Sequence, residues 1–206
     1  MGLYDSVKRC IGIHRTNNEP IHALQIGEAS PMSALIAYSS NTGVTAEIAD
    51  RISTVLESEG INVTLVDLKK NQPNPEGYNL VLVGSGIKMG QWIKESKQFL
   101  KANHQRLHGK TALFVSCADA SVSKKKADAQ TKYLDAVAEM YGIEPVSTGL
   151  FAGCFKWNKY NFFVKQLVKG ILKEDGVIGV NTSEPLDYRD WTQIESWAME
   201  LAEKVS

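Results

Sequence analysis

Short unbroken apolar runs constrain this chain more than any other feature. Ala34-Leu35-Ile36-Ala37-Tyr38, Leu80-Val81-Leu82-Val83 and Thr111-Ala112-Leu113-Phe114-Val115 show almost no polar alternation, as expected of strands covered on both faces of a parallel sheet. Val63, Leu65 and Val66 suggest another strand after the first, and Pro145 to Ala152 reads as the fifth. Between the runs the spacing becomes helical. Ile48, Ile52, Val55 and Leu56 lead to a stop at Gly60; Ile93, Phe99, Leu100 and Leu107 lead to Gly109; Tyr133, Leu134, Val137 and Met140 lead to Gly142. Ile194, Trp197, Ala198, Leu201 and Val205 form a last amphipathic helix. Strands alternating with helices five times over predict an α/β fold: an open, doubly wound, five-stranded parallel sheet with helices on both faces.

The 206 residues suit one domain with an appendage. Residues 1–32 carry no motif with recognisable chemistry and read as an N-terminal extension; residues 33–206 form the α/β domain. The 23 Lys+Arg balance 23 Asp+Glu, so no electrostatic footprint for nucleic acid exists and no nucleic-acid partner is expected. Cys10, Cys117 and Cys154 are odd in number and far apart, with no Cys-x-x-Cys pair. Neither a disulfide framework nor a metal site is expected. With no charged-then-apolar leader and no run approaching ~18 apolar residues, the chain reads as cytoplasmic.

In a doubly wound sheet, ligands bind outside the carboxyl ends of the strands, which directs attention to three loops. The first holds Ser39, Ser40, Asn41, Thr42, Gly43, Val44 and Thr45. Hydroxyls, an amide and a glycine at a strand-to-helix turn favour an anion. A Walker loop would need Gly-Lys-Ser/Thr, so a monophosphate dianion fits better than a triphosphate with magnesium. Plain helix capping by Ser40 or Asn41 is the simpler alternative. The second loop, Ser85, Gly86, Ile87, Lys88, Met89, Gly90, Gln91 and Trp92, follows strand three. Its glycines permit close backbone approach, and Met89 and Trp92 offer a flat apolar wall for a ring system. As a Gly-x-Gly-x-x-Gly fingerprint it fails, because Gly90 stands one residue too late. The alternative is a strained turn with Trp92 packed on a neighbouring helix. The third loop, Ser116, Cys117, Ala118 and Asp119, brings small residues against which a planar ligand can lie. Cys117 reads as a filler, because no base stands near it in sequence. Asp119 either accepts from a ring N–H or caps the next segment.

Taken together, these loops resemble the flavodoxin family. The run Gly84 to Gly90, the stretch Cys154-Phe155-Lys156-Trp157-Asn158-Lys159-Tyr160 and the ending Asp187-Tyr188-Arg189-Asp190-Trp191 look like the flavodoxin-like, quinone-dependent protoporphyrinogen dehydrogenases. The resemblance covers about Ser33 to Ser206. It implies a flavodoxin-like fold and FMN, with the first loop on its phosphate and the other two embracing its ring. It also implies an oxidoreductase that passes electrons from a reduced substrate, a tetrapyrrole, to a quinone or redox protein. The extra N-terminal residues and the Lys124-Lys125-Lys126 loop depart from that pattern. No His or carboxylate stands out as a general base. The alternative is a flavodoxin-type electron carrier without a substrate, but the lysines near the loops argue against the acidic docking face such a carrier needs.

One segment breaks the overall neutrality. From Phe151 to Leu172 there is no acidic residue, and Phe155 to Lys173 combines lysines with aromatic residues. Tyr160, Phe163, Val164, Leu167, Val168, Ile171 and Leu172 are expected on one face of a basic amphipathic helix. Such a helix can lie peripherally on the inner face of an anionic membrane or flank a channel for substrate. Packing of its stripe against the sheet edge is the plainer alternative.

Overall fold

The computed structural model describes residues 32–160, 162–174 and 181–205. The expected extension, residues 1–32, lies outside the described residues except for Met32.

Strand β1 (Ser33–Ser39) enters helix α1 (Val44–Ser58), and β2 (Asn62–Asp67) returns beside β1 in parallel. Strand β3 (Leu80–Lys88) folds back on a short antiparallel β4 (Gln91–Trp92) before helix α2 (Lys94–Asn103). Strand β5 (Thr111–Cys117) is followed by α3 (Lys126–Gln130), a π-helical segment Thr131–Asp135 and α4 (Ala136–Tyr141). Strand β6 (Ser147–Ala152) closes the sheet, whose five parallel strands run in the order β2-β1-β3-β5-β6. A small hairpin-like pair, β7 (Cys154–Phe155) with β8 (Leu186–Asp187), flanks helix α5 (Phe162–Glu174), and α6 (Trp191–Val205) ends the chain.

Period-two alternation divides the core into two layers. Ala34 and Ile36 of β1 face α1 and α6, packing with Ile48, Ile52, Trp197 and Leu201; Leu35 and Ala37 face α2 and the π segment, with Phe99, Leu100 and Leu134. Helices therefore cover both faces, as the chain belongs to a doubly wound class. Phe114, Phe151 and Trp197 form a ring cluster with centroids 5.5 to 6.4 Å apart.

Several details differ from the sequence expectations. One does not: Pro73 and Pro75 already argue for a break between the second and third strands, and there the chain makes a tight turn, with Lys70 and Asn71 N–H donating to the Asp67 carbonyl. Strand β3 does not end at Val83 but pairs with β5 through Gly86. Glycine makes this possible, because a Cβ on Gly84 would sit 2.1 Å from the Phe114 ring. Leu107 is buried beyond α2, after a 3-10 turn at His104–Arg106. Strand β6 starts at Ser147, past Pro145, which has no N–H for the ladder. Met140 is 70% exposed, not on the apolar side. The π segment before it adds a residue to the turn, so a face assigned from unbroken spacing does not carry through.

Candidate functional site

A cavity of about 610 Å³ opens at the carboxyl ends of β1, β3 and β5. The three expected loops meet there. Ser40, Asn41, Thr42, Val44 and Thr45 line it from the first loop. Gly43 is the N-cap of α1, held at φ 88°, a left-handed conformation that glycine adopts without Cβ strain. Ser40 Oγ accepts the Gly43 N–H at 3.0 Å, yet no side chain caps the helix itself. The first-turn N–H groups of α1 thus take no side-chain acceptor and carry the positive end of the helix dipole. Ser39 is fully buried at the end of β1, and its hydroxyl has no hydrogen-bond partner among the described residues.

From the second loop, Gly86, Ile87, Lys88, Met89 and Gly90 line the cavity. They belong to a β-hairpin whose turn residues, Met89 (φ 50°) and Gly90 (φ 73°), both have positive φ, as a tight turn between twisted strands requires. Met89 is 94% exposed. Ser85, Gln91 and Trp92 do not line the cavity. Ser85 Oγ accepts the Ile93 N–H at 2.9 Å and donates to the Gly86 carbonyl; Gln91 accepts from Lys97 Nζ. Trp92 is buried, and its Nε1 donates to the Tyr133 carbonyl at 2.6 Å. Of the expected apolar wall, only Met89 is at the cavity; Trp92 packs against the π segment, because its ring needs both burial and an acceptor for its N–H.

The third loop brings Ser116, Cys117, Ala118 and Asp119 to the cavity. Thr45 Oγ1 and Ser116 Oγ lie 2.8 Å apart and join the first loop to the third. Burial pushes the Cys117 thiol up to about 11, so it is protonated at neutral pH and unsuited to nucleophilic work. Asp119 Oδ2 accepts the phenol of Tyr133 at 3.0 Å. Burial, and then this bond, raises the Tyr133 pKa.

Sequence reasoning did not find Tyr133 as a cavity residue, although it had placed it on a helix. Nor did it assign Ile93, Gly153 and Cys154 to the site. Phe155, Lys159, Tyr160 and Val168, from the basic aromatic stretch, also line the cavity, so its arm closes one side. Tyr160 precedes α5 in extended backbone instead of lying on its face. Phe162 and Phe163 are 68% and 81% exposed. Among the described side chains of α5, the stripe is therefore not wholly packed on the sheet. The arm is held to α1 by charge: Glu47 pairs with Lys156 and with Arg189, and Arg189 Nε donates to Asp187 at 2.8 Å. Burial alone would raise the Glu47 pKa, but hydrogen bonds from Lys156 and Arg189 outweigh it and lower the value. Arg189 also lies over the Trp191 ring, 4.5 Å from its centroid.

The sequence profile of the family described as Flavodoxin domain matches residues 35–177. The chain belongs to the flavodoxin family. Among curated relatives of this flavodoxin-family chain, a protoporphyrinogen IX dehydrogenase (quinone) from Escherichia coli strain K12 is 25% identical over 176 residues, covering 83% of this chain and 95% of the relative. A protein of the same name from Leishmania major is 28% identical over 174 residues, covering 82% of this chain and 74% of the relative. Among solved structures, a flavodoxin from the domain Archaea aligns with TM-score 0.50 at 16% identity, covering 84% of this chain and 99% of that one. A short-chain flavodoxin associated with a bacterial microcompartment aligns with TM-score 0.53 at 15% identity, covering 85% and 99%. These structural likenesses carry the fold. Among the described residues, no helix is long and apolar enough to cross a membrane, and no cluster of three His, Cys, Asp or Glu residues could hold a metal ion.

Proposed function

We propose that this flavodoxin-family chain is an FMN-dependent oxidoreductase of the protoporphyrinogen dehydrogenase type, acting on a reduced tetrapyrrole with a quinone as electron acceptor. One observation carries the reading: a single cavity joins an uncapped helix N-terminus, a hydroxyl-rich loop and an arm of aromatic and cationic residues. The α1 N–H groups with the Ser40, Thr42 and Thr45 hydroxyls suit a phosphate monoester. Gly86 leaves room beside Thr45 Oγ1, where a Cβ would come within 3.0 Å, and Ile87, Met89 and Ala118 supply apolar surface for a flat ring. When bound, FMN supplies the redox chemistry.

The chain's own residues orient and enclose. The Gly86 to Gly90 hairpin and the Ser116 to Asp119 loop, which leave neighbouring strands, both line the cavity, and Gly153, Cys154, Phe155, Lys159 and Tyr160 of the arm line it with them. Lys88 and Lys159 line the cavity, and lysine ammonium groups suit the carboxylates of a tetrapyrrole. Asp119, the cavity's carboxylate, is engaged by Tyr133, and Cys117 keeps its proton. The relatives from Escherichia coli and Leishmania major, named for protoporphyrinogen and quinone, support the choice of substrate and acceptor. The exposed Phe162 and Phe163, with Lys165, Lys169 and Lys173 on the same helix, suit peripheral contact with the membrane that dissolves a quinone.

Two measurements test the reading. The purified protein, supplied with FMN, is expected to show the flavin absorption bands; their absence from the gel-filtered protein would remove the cofactor. Anaerobic mixing with protoporphyrinogen IX is expected to bleach those bands rapidly, and a soluble quinone to restore them. Bleaching by a reductase alone, and not by the tetrapyrrole, would instead identify an electron carrier.

A further inference from the structure

The first loop is gripped from outside the cavity by a lysine that no loop motif contains. The carboxyl ends of β1 and β2 leave the sheet side by side, with Tyr38 paired to Asp67 and Leu68 N–H donating to the Tyr38 carbonyl at 2.8 Å. The tight turn after β2 is fixed by Asp67 Oδ1, which accepts the Lys69 N–H at 3.0 Å. It aims the Lys69 side chain at the neighbouring loop. There Nζ donates to the Ser40 carbonyl at 2.6 Å and to Asn41 Oδ1 at 2.5 Å. Ser40 and Asn41 line the cavity, whereas Lys69 does not.

We infer that Lys69 is a positioning residue for the phosphate of the proposed FMN, a role that rests on the cofactor reading above. Two physical effects combine. No cis peptide occurs among the described residues, and in a trans peptide the C=O and the following N–H point to opposite sides. Holding the Ser40 carbonyl outward therefore turns the Asn41 N–H inward, where it adds a donor to those of α1. The ammonium also adds positive charge behind the loop, in place of the lysine that a Walker loop carries within it. Among the described residues Lys69 forms no ion pair. Lys156, by contrast, lies 3.8 Å from the Cβ position of Gly43 but is paired with Glu47. Lys69 is thus a cation beside this loop with no carboxylate within ion-pair distance of its Nζ among the described residues; the nearby Asp67 instead accepts its backbone N–H.

The test compares FMN with riboflavin, which lacks the phosphate, by flavin fluorescence quenching with the full chain. Lys69→Met keeps the alkyl stem and is expected to weaken FMN binding about tenfold at low salt, with riboflavin affinity unchanged. Lys69→Arg is expected to restore most of the loss. Wild-type affinity for FMN is expected to fall more steeply with salt than that of Lys69→Met. FMN affinity of Lys69→Met within twofold of wild type would overturn the inference, and so would an equal loss for both ligands, which would mark a scaffold role only. A folded wild-type protein that binds neither flavin would instead overturn the cofactor reading, and this inference with it.

Discussion

The phenol of Tyr133 donates to the carboxylate of Asp119 across 3.0 Å, tying the π segment after β5 to the loop by which β5 ends. Both residues line the cavity, so one bond braces the wall from behind. Tyr133→Phe removes it and leaves Asp119 without this donor. Stability is expected to fall by about 1 kcal/mol, or about 2–4 °C in Tm for a chain of this size. Thermal melts check it; an unchanged Tm would show that the bond contributes nothing. The Trp92 anchor should survive, because it uses the Tyr133 carbonyl and not the phenol.

Gly84 leaves the space that the tip of the Phe114 ring occupies against β3. A Cβ there would come within 2.1 to 2.5 Å of three ring atoms, and the ring is itself wedged against Phe151 and Trp197. Gly84→Ala is expected to cost about 1–3 kcal/mol or more, the range of overpacked cores. In urea unfolding, the added Phe114→Leu substitution should recover part of that loss. Strictly additive losses in the double variant would refute the steric account.

Acid sensitivity should concentrate at the arm. Hydrogen bonds from the Arg189 guanidinium lower the Asp187 pKa below its ordinary value. A carboxylate depressed in the folded state contributes stability above its unfolded pKa, about 3.9, and that contribution disappears as pH falls from there through the folded value. Glu47 adds a loss of the same sign. Urea midpoints measured from pH 6 down to pH 2.5 should therefore drop more steeply for wild type than for Asp187→Asn. Parallel curves would disprove the linkage.

Phe162 and Phe163 are exposed on α5, so replacing both with Ser should leave stability within about 0.5 kcal/mol. The same double variant is expected to lose sedimentation with anionic vesicles at low salt. Wild-type protein that fails to sediment with such vesicles, or a variant that sediments equally, would rule out this membrane contact.

Much of the layout was legible in the chain. Runs such as Leu80 to Val83 could be read as strands because a segment buried on both faces tolerates no polar alternation, and the Ser40 to Thr45 turn stood out because it gathers hydroxyls and an amide where a helix start offers free N–H groups to an anion. The departures have local causes. Gly84 to Lys88 looked like a loop, since glycine signals a turn unless a ring such as that of Phe114 occupies the missing Cβ position. Trp92 looked like a ligand wall, because nothing in its neighbourhood announced an acceptor forty-one residues away at the Tyr133 carbonyl.

The order of strands and helices, the absence of a Walker lysine and the site at the carboxyl ends of the strands were determined by the sequence alone, because burial periodicity and turn chemistry are written over a few neighbouring residues. Only the tertiary structure decided which distant side chains reach the loops of that candidate site. Lys69 reaches Ser40, Tyr133 reaches Asp119, and Glu47 holds Lys156 and Arg189. These pairings depend on parallel crossovers that bring strand ends together, and no local pattern encodes them.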